Sequence, residues 1–441
     1  MVIESRGFFP STVRLVAKLP SKYLSYTRRH LRQTAHEQVE ARHLELALLY
    51  ILLKLQQKHV RLSMSLKTKW RRRLNMFGLL YLTKVFVFDN PSPAPDLKNL
   101  RIASFHESDF RIFFVFGKSE AKLLMDLLRF PNFEVSFPNR GKMHGEEIFL
   151  RGLYELVSGE NKFKIARNVF GRCYTYQSRA FSWFVDHIYN NFHHLLHDNL
   201  DWWWRNNFFQ ASNEAINSKL RVDYVSDVAF FIDCNCLRTT MPGGGPGEDG
   251  ANAARWCPFV QQAFYNGWKS IHGLKHQTVD IAHGFTVDML GPYSLRRNDL
   301  ALLRDSNINE RLAQLQAGES KQYIIFGDSA YKTQSHIRSY YGGQQERSDP
   351  RFRRWNGAMK AVRIAIEWNY AITGSLFKYL ANKRKLQLLK SSTRVSKIYT
   401  VATLLRNCYV GLYGSQVSKY FEMSVPNNFV VNYLSQTDMD M

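Results

Sequence analysis

Cysteine is scarce in this sequence: five residues in 441, at positions 173, 234, 236, 257 and 408. An odd, scattered set excludes a disulfide framework and suits a reducing compartment. CxxC pairs are also missing. Cys234, Cys236 and Cys257 can be drawn with His272 and His276 as a zinc site, but ordinary buried thiols are the plainer reading. Long apolar runs are absent too: the longest, Leu46 to Leu53, falls far short of the roughly 20 residues a bilayer-crossing helix needs. Residues 1–20 have no continuous apolar core ending in a small-residue cleavage site, so neither a signal peptide nor a membrane partner is expected. Negative charge is the third shortage. There are 37 Asp and Glu against 60 Lys and Arg, a net charge of +23. Such an excess attracts polyanions and releases counterions when phosphates are neutralised, which makes nucleic acid the first candidate partner and a basic scaffold or membrane-surface protein the plainer one.

Apolar material is not in short supply. Hydrophobic residues make up 45% and aromatics 14%, enough for a globular chain of two or three folded units. Residues 1–100 hold 18 Lys or Arg against 6 Asp or Glu, about half of the whole excess. This basic extension is expected to be partly helical, over Ala41 to Gln57. The run Lys67 to Arg73 (KTKWRRR) reads either as a solvated face or as a phosphate contact or import signal. Asn90 to Pro95 (NPSPAP) reads as a linker.

Residues 101–222 have helical spacing. Within them, Gly145 to Val157, Asn161 to Phe170 and Thr175 to Tyr189 predict three helices with Gly171 at a tight turn, over a segment 145–189 laid out like a helix-turn-helix. Lys162, Lys164, Arg167, Arg172, Ser178 and Arg179 are its candidate DNA-binding residues, with an ordinary three-helix packing unit as the alternative. His193, His194 and His197 (HHLLH) lack the Glu of a metal-binding HExxH and read as a helix surface. Trp202 to Trp204 with Phe208 and Phe209 read as a domain-interface anchor rather than a base-stacking platform.

From Tyr224 the texture turns to short β-rich runs: Val228 to Ile232 ending in Asp233, then Leu274 to Ile281, Phe285 to Leu290, and Gln322 to Phe326 followed by Asp328. The piece Met241 to Gly250 (MPGGGPGEDG) lacks the Lys-Ser/Thr ending of a phosphate-binding loop and reads as a tether. Asn356 to Tyr379 predicts a helix carrying Arg363 and Glu367 on one face. Asp233, Asp299, Asp328 and Glu367 can therefore converge, with 95 residues from Asp233 to Asp328 and 39 from Asp328 to Glu367. Phosphodiester cleavage by two divalent ions needs such hard oxygen ligands. A cap or surface role for each acid is the alternative.

The strings FFIDCN, GPYSLRRNDLALLRDSNI, YIIFGDSAY, WNGAMKAVRIAIEWNYAITGSLFKYL and LLRNCY, in this order, resemble the DDE domain of PIF/Harbinger-type transposases. The resemblance implies an α/β chain: an RNase H-like mixed-sheet nuclease domain over 223–415, preceded by the helical region and followed by a C-terminal tail, 416–441. It implies that Asp233, Asp328 and Glu367 are catalytic and that these three with Asp299 hold divalent metal, Mg²⁺ or Mn²⁺, as two ions. Asn298 stands where the family usually has His. Arg363, four residues before Glu367, is expected to balance charge beside it or to touch phosphate, with a plain helix ion pair as the alternative. The further implications are a nuclear location, transposon terminal repeats and target DNA as substrates, a Myb-like DNA-binding partner, and a homo-oligomer assembled on DNA. A domesticated, non-cutting DNA- or chromatin-binding descendant and a metal-free RNA-binding scaffold are the competing readings.

Overall fold

A computed structural model describes residues 101–137, 141–171, 173–220, 226–242, 261–382, 386–388 and 392–436. The basic extension, its linker, Arg172, Cys257 and most of the glycine-rich tether lie outside the described residues, as do the side chain of Arg167 and residues 437–441 of the tail.

The chain enters through helices α1 (Glu107–Phe114) and α2 (Lys118–Leu127) and a small hairpin of β1 (Glu134–Phe137) and β2 (Gly141–His144). Helix α3 (Gly145–Ser158) begins where the His144 side chain accepts the Glu146 backbone N–H. It ends at Gly159, whose φ of 60° is the left-handed conformation that suits glycine at a helix C-terminus. A short helical turn, Lys162–Lys164, runs into a π-helical turn, Ile165–Val169, and α4 (Tyr174–Phe192) follows. Helices α5 (Leu200–Arg205) and α6 (Phe208–Leu220) lead to the sheet.

The sheet strands are β3 (Val228–Arg238), β4 (Tyr265–Asn266), β5 (Ile271–Ile281), β6 (Thr286–Ser294), β7 (Ile324–Phe326) and β8 (Ile337–Arg338). Strand β3 pairs antiparallel with β5 and parallel with β7. Strand β6 pairs antiparallel with the far side of β5, and β8 pairs parallel with β7. Three strands joined as a meander and two added in parallel make a mixed α/β sheet, consistent with an RNase H-like domain. Helices α7 (Asp299–Ser306) and α8 (Ile308–Leu315) connect β6 to β7. After β8 come α9 (Gly343–Ser348), α10 (Pro350–Leu376), α11 (Ser392–Tyr413), α12 (Gln416–Tyr420) and α13 (Phe429–Leu434).

Two packing arrangements position the site. Trp355, Met359, Val362 and Ile366 recur at helical spacing and bury one face of α10 against Val228, Phe231, Ile324 and Phe326 of β3 and β7. Each such fully buried side chain contributes about 1.5–3 kcal/mol. The helical region and the sheet share a continuous core, in which Phe181 of α4 stacks on Tyr379 at 4.9 Å. The Trp202–Trp204 cluster belongs to that core: Trp203 is fully buried among Phe208, Phe285, Phe429 and Tyr433.

Two of the element boundaries that differ from the sequence reading bear on the site. Strand β3 runs on through Arg238, because β5 pairs with it residue by residue from Phe230 to Arg238, so Asp233 lies in mid-strand and not at its end. Helix α10 starts at Pro350, six residues early, because Asp349 caps it by accepting the Arg351 backbone N–H and proline fits the first turn.

Candidate active site

Register brings the first two carboxylates together. Strand β7 pairs with β3 only as far as Phe231 opposite Phe326, so from Ile232 onward that edge of β3 has no strand beside it among the described residues. Asp233 lies two residues beyond Phe231 on β3, and Asp328 lies two residues beyond Phe326 in the turn that follows β7; the two are near enough for the charge of Asp328 to push the Asp233 carboxyl up. The turn after β7 explains the GDSAY string. Asp328 Oδ1 accepts the Ala330 N–H at 2.9 Å, and its carbonyl accepts the Tyr331 N–H at 3.1 Å. Tyr331 folds under, fully buried, with its hydroxyl 3.4 Å from Cys234 Sγ. A Cβ at Gly327 would lie 2.7 Å from the Tyr331 ring, so only glycine fits there.

Helix α10 supplies the third carboxylate and a cation. Arg363 Nη2 donates to Asp233 Oδ2 at 2.6 Å, while Nη1 lies 3.9 Å from Glu367 Oε1. Glu367 is exposed, with 62% of its side chain accessible, whereas Arg363 and Asp233 retain only 12% and 20%. Burial opposes the charge on Arg363, but Asp233, Asp328, Tyr340 and Glu367 together outweigh it and hold the guanidinium's pKa up. One cation thus senses all three acids.

Asp233 itself is pushed up to about 6. Burial is the main cause; Arg363 and the Cys234 N–H pull down against it, and the neighbouring charges of Asp328 and Asp299 push up. The Cys234 N–H bonds Asp233 Oδ1 at 2.7 Å. Even so raised, the carboxyl is mostly ionised at neutral pH.

Asp299 stands differently. It opens α7, whose cap is Asn298 accepting the Ala301 N–H at 2.8 Å, so the Asn found in place of His serves the helix start. Its Oδ1 accepts from Lys275 Nζ at 2.7 Å, and Lys275 also donates to the Arg297 carbonyl at 2.8 Å. The register pairs Asp233 with Thr278 and Cys236 with Lys275, and paired residues share a face. Lys275 therefore leaves the sheet on the face opposite Asp233. Asp299 joins the other three as a neighbouring charge while its own bond goes to a lysine.

Lys275 and Tyr340 are site residues that the sequence reading missed. A lysine within GLKHQTVDI, a strand otherwise free of cations, was the signal for the first. The phenol of Tyr340 is raised by burial, with Arg363 pulling down and Asp328, Glu367 and Asp233 pushing up, which places it beside the same charges. Nothing in the sequence around Tyr340 marks it.

The expected DNA-binding residues of 145–189 scatter. Lys162 turns inward, 3.4 Å from Glu155 and over the Phe181 ring, because a buried carboxylate needs a cation more than the surface does. Lys164 is exposed, and Ser178 and Arg179 are half-buried on the first turns of α4. Arg363 faces the carboxylates.

Carboxylate donors suit a hard divalent ion in type. Their present spacing does not yet enclose one: among the described residues, no group of three or more His, Cys, Asp or Glu is arranged to hold a metal, HHLLH and the cysteines included. An ion bound by Asp233 competes with Arg363 for the same oxygens. No helix among the described residues is long and apolar enough to cross a membrane.

No curated protein and no solved structure matches the chain. Residues 251–407 match the family model described as DDE superfamily endonuclease, a segment that holds Asp299, Asp328 and Glu367 and begins after Asp233, and the match supports a place for this part of the chain among the DDE endonucleases.

Proposed function

We propose that the protein is a DDE-type DNA transposase and endonuclease of the PIF/Harbinger kind, cutting at transposon ends and joining them to target DNA. The observation that carries this reading is the convergence on Arg363 of Asp233 from β3, Asp328 from the turn just past the adjacent parallel strand β7, and Glu367 from α10. The net charge of +23 supplies the attraction for a DNA backbone.

Asp233, Asp328 and Glu367 are the residues that would hold Mg²⁺ or Mn²⁺; Asp299 would join them only by leaving Lys275, which it meets on the far face of the sheet. When bound, such ions lower the pKa of the attacking water and stabilise the leaving oxygen. The chain's own residues do the rest. Water adds to the scissile phosphorus and the 3′-oxygen departs as a hydroxyl; that hydroxyl then attacks a phosphorus of the target strand, forming the new phosphodiester as the target's own 3′-oxygen departs as a hydroxyl. Arg363 neutralises Asp233 between substrates and is free to meet a phosphate oxygen once displaced from it. A nuclear location, a Myb-like partner and a homo-oligomer on DNA complete the proposal and rest on the family resemblance.

The Arg363–Asp233 ion pair also favours a second reading, a domesticated protein that binds DNA without cutting it, since a resident guanidinium can take a metal's place permanently. The deciding assay incubates the full chain with DNA bearing the element's terminal repeats and Mg²⁺ or Mn²⁺, beside Asp328→Asn. Metal-dependent nicking that the substitution abolishes supports the transposase. Tight binding without nicking supports the silent form, and neither binding nor nicking removes both.

A further inference from the structure

Among the described tryptophans, all but one are buried or half-buried; Trp268 is 93% exposed. It stands at the tip of the hairpin that joins β4 to β5. The tip is not loose: the Asn266 side chain accepts the Lys269 backbone N–H at 2.9 Å, and Ser270 takes the left-handed conformation at φ 51°. A large flat ring is thus presented to solvent on a fixed turn, where it contributes nothing to the core.

Beside the turn lies a cleft of about 210 Å³. Its walls combine Arg238, Met241, Ser270, Ile271 and His272, and none of its lining residues is acidic. Met241 is 59% exposed, and Tyr265 packs its ring 4.9 Å from His272 at the hairpin base. Arg238 in the cleft wall and Lys269 next to Trp268, its Nζ 3.4 Å from Cys236 Sγ, are exposed cations. Apolar walls, hydroxyl and imidazole groups at the edge, and flanking positive charge are together the requirements of a nucleobase with its phosphates.

Position agrees. From Ile271 to Thr278, the residue paired with Asp233, is seven strand residues, or about 24 Å. Successive nucleotides on one strand of B-DNA advance by about 3.4 Å, so a strand with a phosphate at the carboxylates reaches the hairpin after about seven base steps.

We propose that Trp268 and this cleft form a stacking site for an unpaired base of the DNA substrate. The site rests on the reading of DNA as substrate and adds to it a preference for a frayed or single-stranded segment beside the duplex. The ring supplies a π-face that accepts any base, and Arg238 and Lys269 hold the flanking phosphates.

The test uses the full chain and two probes: a blunt, fully paired duplex, and the same duplex with an unpaired tail containing 2-aminopurine. Binding is followed by anisotropy, and stacking by quenching of the 2-aminopurine fluorescence. Trp268→Ala should weaken binding to the tailed probe roughly five- to 150-fold, the equivalent of about 1–3 kcal/mol per stacked base, and abolish the quenching. Affinity for the blunt probe should stay unchanged, and Trp268→Phe should restore most of the loss. Equal binding of both probes by wild type and Trp268→Ala overturns the stacking site while leaving the DNA reading intact. A loss of self-association with unchanged DNA binding overturns it in favour of a protein contact, and failure of the wild type to bind either probe removes both proposals.

Discussion

The bond between Arg363 and Asp233 makes the sharpest prediction, because it sets a side chain against a metal ion for the same oxygens. Arg363→Met keeps most of the volume and removes the charge. The pair meets at 2.6 Å with 12% and 20% of the two side chains exposed, between the surface and the buried limit. Exposed pairs are worth about 0.2–1 kcal/mol, and breaking a fully buried one costs about 3–5 kcal/mol. About 2 kcal/mol is the expected loss, and in a domain of this size it lowers the melting temperature by about 4–8 °C in chelator. Divalent ion should reverse the order. With the competing cation gone, a tenfold tighter site returns about 1.4 kcal/mol at saturating ion, so Mn²⁺ should raise the variant's melting temperature more than the wild type's. Arg363 also holds the Asp233 carboxyl down against burial, which pushes it up to about 6; without the arginine it titrates higher still. The metal-induced shift should therefore fade at a higher pH in the variant than in the wild type as acid is added. Unfolding curves that coincide in chelator, together with a Mn²⁺ shift no larger than that of the wild type, would refute the competition.

Other outcomes follow from the same structure. Asp328→Asn should reduce metal-dependent nicking by about a hundredfold or more while leaving DNA affinity within a few-fold, as measured on end-labelled terminal-repeat DNA. Asp288, buried on β6 and bonded to Arg311 at 2.8 Å, is pushed up to about 6 from 3.8 because burial outweighs the arginine. Its folded form takes up a proton before the unfolded one, so its ionisation subtracts stability as pH rises from about 4 through 6. Asp288→Asn should then gain on the wild type by up to about 2–3 kcal/mol between pH 4 and pH 7.5, and a pH-independent difference in denaturant midpoints would contradict this. Gly152→Ala should cost about 1–3 kcal/mol, because the added Cβ would meet the Phe184 ring at 2.1 Å where α3 crosses α4; an unchanged midpoint would show that the crossing has slack.

Much of the site was legible because chemistry and order survive in one dimension. Asp233 follows the apolar run VAFFI, Asp328 follows YIIFG, and Arg363 precedes Glu367 by one helical turn; each signal is local. What could not be read was register. Whether β7 stops at Phe231 or runs past Asp233 depends on backbone pairing over a gap of nearly a hundred residues, and that stop leaves Asp233 an open edge. The start of α10 was missed for a local reason, since RFRR looks like a polar loop unless Asp349-Pro350 is read as cap and first turn. The inward turn of Lys162 was hidden because its partner Glu155 lies on a different helix.

Face parity explains the remaining difference, that between Asp299 and the other three acids. Along β5, Thr278 lies opposite Asp233 and Lys275 lies opposite Cys236, so an odd step in register sends the lysine through to the far side of the sheet. There it meets Asp299, while Arg363 meets Asp233 on the near side. Asp299 and Asp233 thus each have their own cation, and the two cations come from different elements, a strand and a helix. That division matters physically. Neighbouring anions push a carboxyl's pKa up, as Asp328 and Asp299 do to Asp233. Arg363 pulls the Asp233 carboxyl down before any ion arrives and, beside the exposed Glu367, is the cation positioned to exchange with solvent. Loading should accordingly proceed from the Arg363 side, with the Lys275–Asp299 pair staying closed longer.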